Sequence, residues 1–165
     1  MIATLKVLAL LCLFSLLYIL VIPFFARTSL LMRFLPEEIG LAAKDHPDPP
    51  LWKRLIGYVL TLSMAGLFLG ALAYTGADGI GKGAGFLGLY GRYLLLLYGY
   101  KLFDILVQDQ YIVITKKYFV RFYPETRDCR SWNDRGFNTK NQLVRLAAFP
   151  FVCAGLASAA WWIGG

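Results

Sequence analysis

Hydrophobic residues in this chain come as blocks separated by polar connections, with no polar alternation inside the blocks. The first block runs from about Ile2 to Ala26 and is broken only by Lys6 and Pro23. Three more cover about residues 55–74, 86–107 and 143–163. A hydrocarbon core about 30 Å thick is crossed by about 20 apolar residues rising 1.5 Å each. The pattern predicts an all-α membrane protein, a single transmembrane domain built as a bundle of about four helices. The first block outruns the h-region of a signal peptide and its flank lacks an Ala-x-Ala site, so it is expected to stay as an uncleaved helix.

The polar connections carry the finer signals. Between the first two blocks, Ser29 to Ala43 fits a short interfacial helix with Leu30, Leu31, Phe34, Leu35 and Leu41 as its apolar contacts. The prolines between His46 and Pro50 then break it. Gly66 and Gly70 give the second block a GxxxG spacing, which lets another helix approach closely. Residues 75–85 are glycine-dense and read as a turn. A phosphate-binding loop is excluded there, because Lys82 is followed by Gly83 where that motif needs Ser or Thr. The fourth block presents Ala154, Gly155, Ala157, Ser158 and Ala159 as a small-residue surface, with Trp161 and Trp162 as an interfacial anchor.

Composition supports the membrane reading. The chain is 58% hydrophobic and 16% charged, with mean hydropathy +0.57, whereas soluble domains carry about 25% charged residues. Charge also sets orientation. The connection over residues 27–54 holds five Lys/Arg, the 75–85 segment one, and the 109–142 connection seven. The positive-inside rule places the two basic connections in the cytoplasm and both termini outside it. The net charge of +7 then implies contact with anionic cytoplasmic-leaflet lipids rather than nucleic acid. Three cysteines without a CxxC pair and a lone His46, read as a solvated loop residue, give no metal site, and no cofactor motif is present.

The third block is the one span with several ionisable residues. At about 100° per residue, Arg92 shares a close-packing face with Gly81, Gly85, Gly88 and Gly99. Tyr90, Tyr93, Tyr100, Lys101, Asp104 and Gln108 fall on an opposed polar-aromatic arc. Charge inside a span is costly and marks a functional candidate, so Arg92, Tyr100, Lys101 and Asp104 form a candidate intramembrane polar site. A structural role stays open beside it, since Lys101 and Asp104 can pair at i, i+3 or snorkel to the interface.

The connection that follows opens with Tyr111 to Thr115, a β-branched run with strand preference. Basic and aromatic residues then interleave, and Pro124 to Asp128 reads as a turn. Lys116, Lys117, Arg121, Arg127 and Arg130 are candidates for binding phosphate or lipid head groups, and the segment is expected to lie on the lipid surface. An Asp-bearing span, a basic segment (Lys116, Lys117, Arg121) and the Pro124-Glu-Thr-Arg-Asp128 turn resemble a group of small, uncharacterised bacterial multi-span proteins. That resemblance covers the C-terminal half and implies a bacterial inner (plasma) membrane, with Cys129 kept reduced; it brings no activity.

Three functions follow as expectations. The first is a non-catalytic subunit, scaffold or assembly factor of a membrane complex, its small-residue faces docking other subunits or a second copy. The second is an interfacial enzyme acting on a lipid or polyprenyl phosphate, with Asp104 as acid/base or metal-binding group. The third is a small transporter, for which the inverted repeats that would support it are missing.

Overall fold

In a computed structural model, the described residues are 1–25, 35–44, 46–136 and 138–164, and among them the chain is helical with no strand. α1 covers Ile2–Val21 and ends in a 3-10 turn at Ile22–Phe24, where Pro23 cannot continue the α-helical bonding. α2 is short, Glu37–Ala42. α3 runs over Leu51–Gly81 and α4 over Phe86–Phe103, continuing without a break as a π-helix over Asp104–Thr115. Three 3-10 turns follow, and α5 spans Thr139–Gly164. Among the described residues, three helices are long and apolar enough to cross a membrane: Ile2–Phe24, Leu51–Gly81 and Thr139–Gly164. α4 is not among these, because Arg92, Lys101 and its tyrosines dilute its apolar content.

The long helices alternate in direction. Thr4, Asp78 and Arg92 meet at one end, where Gly164 also lies against Ile80. The other end carries residues 22–25, 35–44, 46–50, 104–136 and 138. α4 packs against α1, α3 and α5 in turn. Leu11, Ala71 and Leu96 join it to α1 and α3, while Leu89, Tyr93, Leu97, Cys153, Ala157 and Ala160 join it to α5. The small residues of the fourth block therefore divide: Ala157 and Ala160 pack inward, whereas Ser158 and Ala159 are exposed.

The glycine-dense segment corrects a sequence expectation. Most of it is the end of α3, and only Lys82 to Gly85 lies outside a helix. Gly76 and Gly79 are there for close approach: a Cβ would come within 2.4 Å of the Tyr93 hydroxyl and 2.5 Å of Leu89 Cδ2, respectively. Gly83 then takes φ +66°. Its N–H bonds the Ile80 carbonyl and the Ala84 N–H bonds the Gly79 carbonyl, which is a Schellman stop. By contrast, a Cβ on Gly66 or Gly70 would meet nothing within 4 Å, so the GxxxG face points out of the bundle.

Two further expectations change. Tyr111 to Thr115 belongs to the π-helix, because Ile112, Val113 and Ile114 are buried against neighbouring elements and packing overrides their strand preference. The two basic connections also do not lie separately on a surface. They fold onto each other as a cap in which Ile22, Leu35, Ile39, Ala43, Val113, Phe119, Tyr123 and Trp132 share one buried cluster. The aromatic residues expected at lipid head groups fill this cluster, and Trp132 is 0% exposed. Of the helix expected over residues 29–43, the part over residues 29–34 lies outside the described residues, and α2 is the rest. His46, expected to be solvated, sits 2.8 Å from Glu125 and edge-on to Tyr123.

Side chains close the remaining backbone gaps. Pro150 in α5 has no N–H for the Leu146 carbonyl one turn back, and the Tyr98 hydroxyl donates to that carbonyl at 2.7 Å. The Tyr118 hydroxyl donates to the Leu20 carbonyl at 2.7 Å, satisfying an orphan acceptor at the end of α1.

Candidate functional site

Sequence reasoning grouped Arg92 with Tyr100, Lys101 and Asp104, and the fold separates them. Arg92 sits near the start of α4, 6% exposed, with Nη1 donating to Asp78 Oδ2 at 2.6 Å and reaching Thr4 Oγ1 at 3.5 Å. Lys82, four residues beyond Asp78, pairs with its other oxygen. Each charge here has a partner, and the cluster ties α1, α3 and α4 together. Of the glycines expected to share a close-packing face with Arg92, only Gly99 meets another helix, at Leu8 of α1; a Cβ on Gly81 or Gly85 would meet nothing within 4 Å, and one on Gly88 only Ala84.

Tyr100, Lys101 and Asp104 lie at the cap end and line a cavity of about 600 Å³. The π-helix shapes it. At α-helical pitch, Asp104 and Asp109 would diverge by about 140°; the wider i→i+5 turn sets both on one face with Gln108 and Val113. Lys101 Nζ, 4% exposed as a residue, donates to Asp104 Oδ2 at 2.5 Å. Gln108 donates to Ser15 Oγ at 2.5 Å, and Ser15 Oγ lies 3.0 Å from the Tyr100 hydroxyl, which fixes α1 against the polar face of α4.

The opposite wall comes from α5 and its approach. Asn138, Asn141, Arg145 and Phe149 line the cavity, and Asn138 and Gln142 both donate to Asp109 Oδ2, at 3.3 and 2.6 Å. Burial pushes the Asp109 carboxyl above its usual range, and nearby Asp104 adds to this; the two amide donors and Lys101 offset part of it. Gln142 Oε1 is buried with no partner among the described residues. Arg145 has no hydrogen-bond or ion-pair partner among them. Apolar side chains line the cavity on both sides of these groups, with Met64 and Phe68 of α3 and Phe149 of α5 from the bundle and Ile22, Leu35, Val113 and Phe119 from the cap.

The five loop cations do not join this site. Lys116 lies over the Tyr111 ring at 5.3 Å, and Lys117 Nζ donates to Asn133 at 3.0 Å. Arg121, Arg127 and Arg130 are exposed, each facing solvent rather than a shared anion site. The Arg130 and Ser131 backbone N–H groups instead hold Glu38 of α2, at 3.3 and 2.9 Å. The Ser131 hydroxyl bonds Glu38 as well, and these bonds keep the Glu38 carboxyl below its usual range.

Arg145, Asn138, Asn141 and Glu37 were missed as site residues. A signal for the α5 set was available: positions 138, 141, 142, 145 and 149 recur at i, i+3, i+4, i+7 and i+11, a polar helical face leading into an apolar block. Asp78 was hidden by reading its segment as a turn. No family model matches the chain, and no curated protein or solved structure matches it either.

Proposed function

We propose that the chain is a four-span bacterial inner-membrane protein, both termini outside the cytoplasm, that acts as a non-catalytic lipid-binding subunit. α4 is the fourth span in this reading. Its ionisable residues are inward or paired, so the surrounding apolar helices shield it from lipid. The cap, which carries both basic connections, faces the cytoplasm. The observation that carries the function is the mixed lining of the cavity. Lys101, Asp104, Asp109 and Arg145 share it with Met64, Phe68 and Phe149 from the bundle and with Ile22, Leu35, Val113 and Phe119 from the cap, so charged groups and apolar surface are offered together, as an amphiphile at a membrane interface requires. The outward Gly66 and Gly70 support docking to another subunit or a second copy.

Solvent extraction of the purified full chain tests this. Wild type is expected to carry stoichiometric lipid, and Phe149→Trp, which enlarges an apolar lining residue, to lose most of it. Equal lipid in both proteins would remove the reading.

One observation favours a second reading, an enzyme acting on a lipid or polyprenyl phosphate. Asp104 and Asp109 share one face with Lys101 and Arg145 nearby, so acid/base and anion-holding groups converge. If Asp104→Asn and Asp109→Asn both restore a deletion strain fully, with unaltered lipid head groups in lysates, catalysis is ruled out.

A further inference from the structure

We propose that the cavity selects phospholipids whose head group joins a phosphate to a primary ammonium. This rests on the amphiphile-binding reading above and adds the head-group class. The charges that line the cavity are Lys101, Arg145, Asp104, Asp109 and Glu37. Lys101 and Asp104 satisfy each other at 2.5 Å, which leaves one cation, Arg145, and two carboxylates to face a ligand. Asp109 receives only neutral amide donors, both on Oδ2, so its Oδ1 is open. The side-chain amides of Asn138 and Asn141, which line the cavity with Asp109, add further acceptors.

A head group that is only a phosphate would satisfy Arg145, bidentately where geometry allows, yet would bring negative charge toward Asp109 and Glu37. A simple amine would leave Arg145, exposed on α5, to solvent alone. A head group with both charges meets both requirements. The ammonium must also donate, because the acceptors around Asp109 are carboxylate and amide oxygens. A primary ammonium offers three N–H groups, whereas a quaternary one offers none and would leave those acceptors desolvated and unpaired. Met64, Phe68 and Phe149 then receive the first segment of the acyl chains.

Native mass spectrometry of the full chain in detergent provides the test, with dioleoyl phosphatidylethanolamine, phosphatidylglycerol and phosphatidylcholine titrated in parallel. Phosphatidylethanolamine is expected to bind about tenfold more tightly than the other two, as one charge-assisted hydrogen-bond set is worth. Asp109→Asn is expected to erase that preference, and Arg145→Gln to weaken every phospholipid. Equal affinity for the three lipids, or an intact preference in Asp109→Asn, would overturn the head-group assignment while leaving amphiphile binding in place. Loss of lipid discrimination together with no effect of Phe149→Trp on any lipid would instead remove the cavity reading itself. Soluble phosphoethanolamine serves as the last arm. Failure to displace the lipid at equal concentration supports a lipid ligand, and full displacement would assign the site to a soluble phosphoamine and overturn the proposal.

Discussion

Truncating Trp132 tests whether the two polar connections form one folded cap that can come apart without the bundle. The indole is 0% exposed, and Nε1 donates to the Thr126 carbonyl at 2.7 Å. Replacing a fully buried aromatic side chain by alanine costs about 3–5 kcal/mol, from lost transfer free energy plus the cavity left behind. Trp132→Phe retains most of the packing and leaves the Thr126 carbonyl with the Cys129 N–H alone, at about 0.5–1.5 kcal/mol, the net worth of one hydrogen bond. Whole domains are stable by only about 5–15 kcal/mol, so the alanine variant is expected to open the cap and the phenylalanine variant to loosen it. The bundle is held by other residues: Leu89, Tyr93, Leu97, Cys153 and Ala157 share no cluster with Trp132. Hydrogen exchange on detergent-purified protein separates the two. A loss of 3 kcal/mol corresponds to more than a hundredfold faster exchange by opening, at about 1.4 kcal/mol per factor of ten. That acceleration is expected across residues 37–43 and 118–133 in Trp132→Ala, with residues 89–97 unchanged. Cap exchange within about threefold of wild type, or equal opening of cap and bundle, would refute the reasoning.

Other perturbations probe other parts. Arg92→Leu leaves Asp78 with only Lys82, and Asp78→Asn leaves a buried guanidinium without its counter-charge; each is expected to lower the melting temperature, and the double variant to recover part of the loss. Failure of the double variant to recover would show that the pair is not coupled. Gly76→Ile should prevent close packing of α3 on Tyr93 and unfold the bundle, whereas Gly66→Ile should leave monomer stability unchanged and reduce any oligomer or complex seen by size-exclusion chromatography with light scattering. Acid titration should reveal two opposite signs. Glu38 titrates lower in the fold than in the unfolded chain, so its contribution to cap docking is complete above the ordinary carboxylate range and is lost as pH falls through its lowered value. Asp109 titrates higher in the fold, so acidification through its raised value relieves a cost and adds relative stability. Glu38→Gln is expected to remove the acid loss and Asp109→Asn the acid gain, as read from melting temperatures between neutral pH and about pH 3.

The long helices were legible because apolar length alone marks a helix able to cross a membrane, and the three strongest blocks coincide with α1, α3 and α5. Helix ends were less legible. α3 exceeds its apolar block at both ends because Leu51 to Arg54 and Thr75 to Gly81 add turns whose composition is not apolar. The glycines there signalled a turn from local preference, although Gly76 and Gly79 are required by contact with Tyr93 and Leu89, residues on another helix. The cap was hidden for a similar reason. Basic residues interleaved with aromatics fit a lipid surface as well as a folded segment, and only the meeting of Ile39, Phe119 and Trp132 distinguishes them. In the site, the polar arc of α4 was readable from its period as far as Gln108. Asp109 was not, since an α-helical period sets it apart from Asp104 and the change to i→i+5 bonding leaves no mark in composition.

The two ends of α4 meet their ionisable groups in different ways. An ionisable group inside a bundle is tolerated when its charge is met. Arg92 satisfies that condition within the chain, through Asp78 and Thr4, and closes the end near the termini. Nine residues on, Lys101 is also met, by Asp104. Asp109 and Arg145 line the same cavity and have no ionic partner among the described residues. Asp109 is partly buried and held only by amide donors, and Arg145 is exposed on α5, so under the binding proposal these two groups face the ligand together with Glu37. Filling both with apolar residues should therefore abolish lipid retention, while stranding the Gln142 amide now bonded to Asp109. The same double replacement at Asp78 and Arg92 has no ligand to lose, and it should leave lipid retention unchanged.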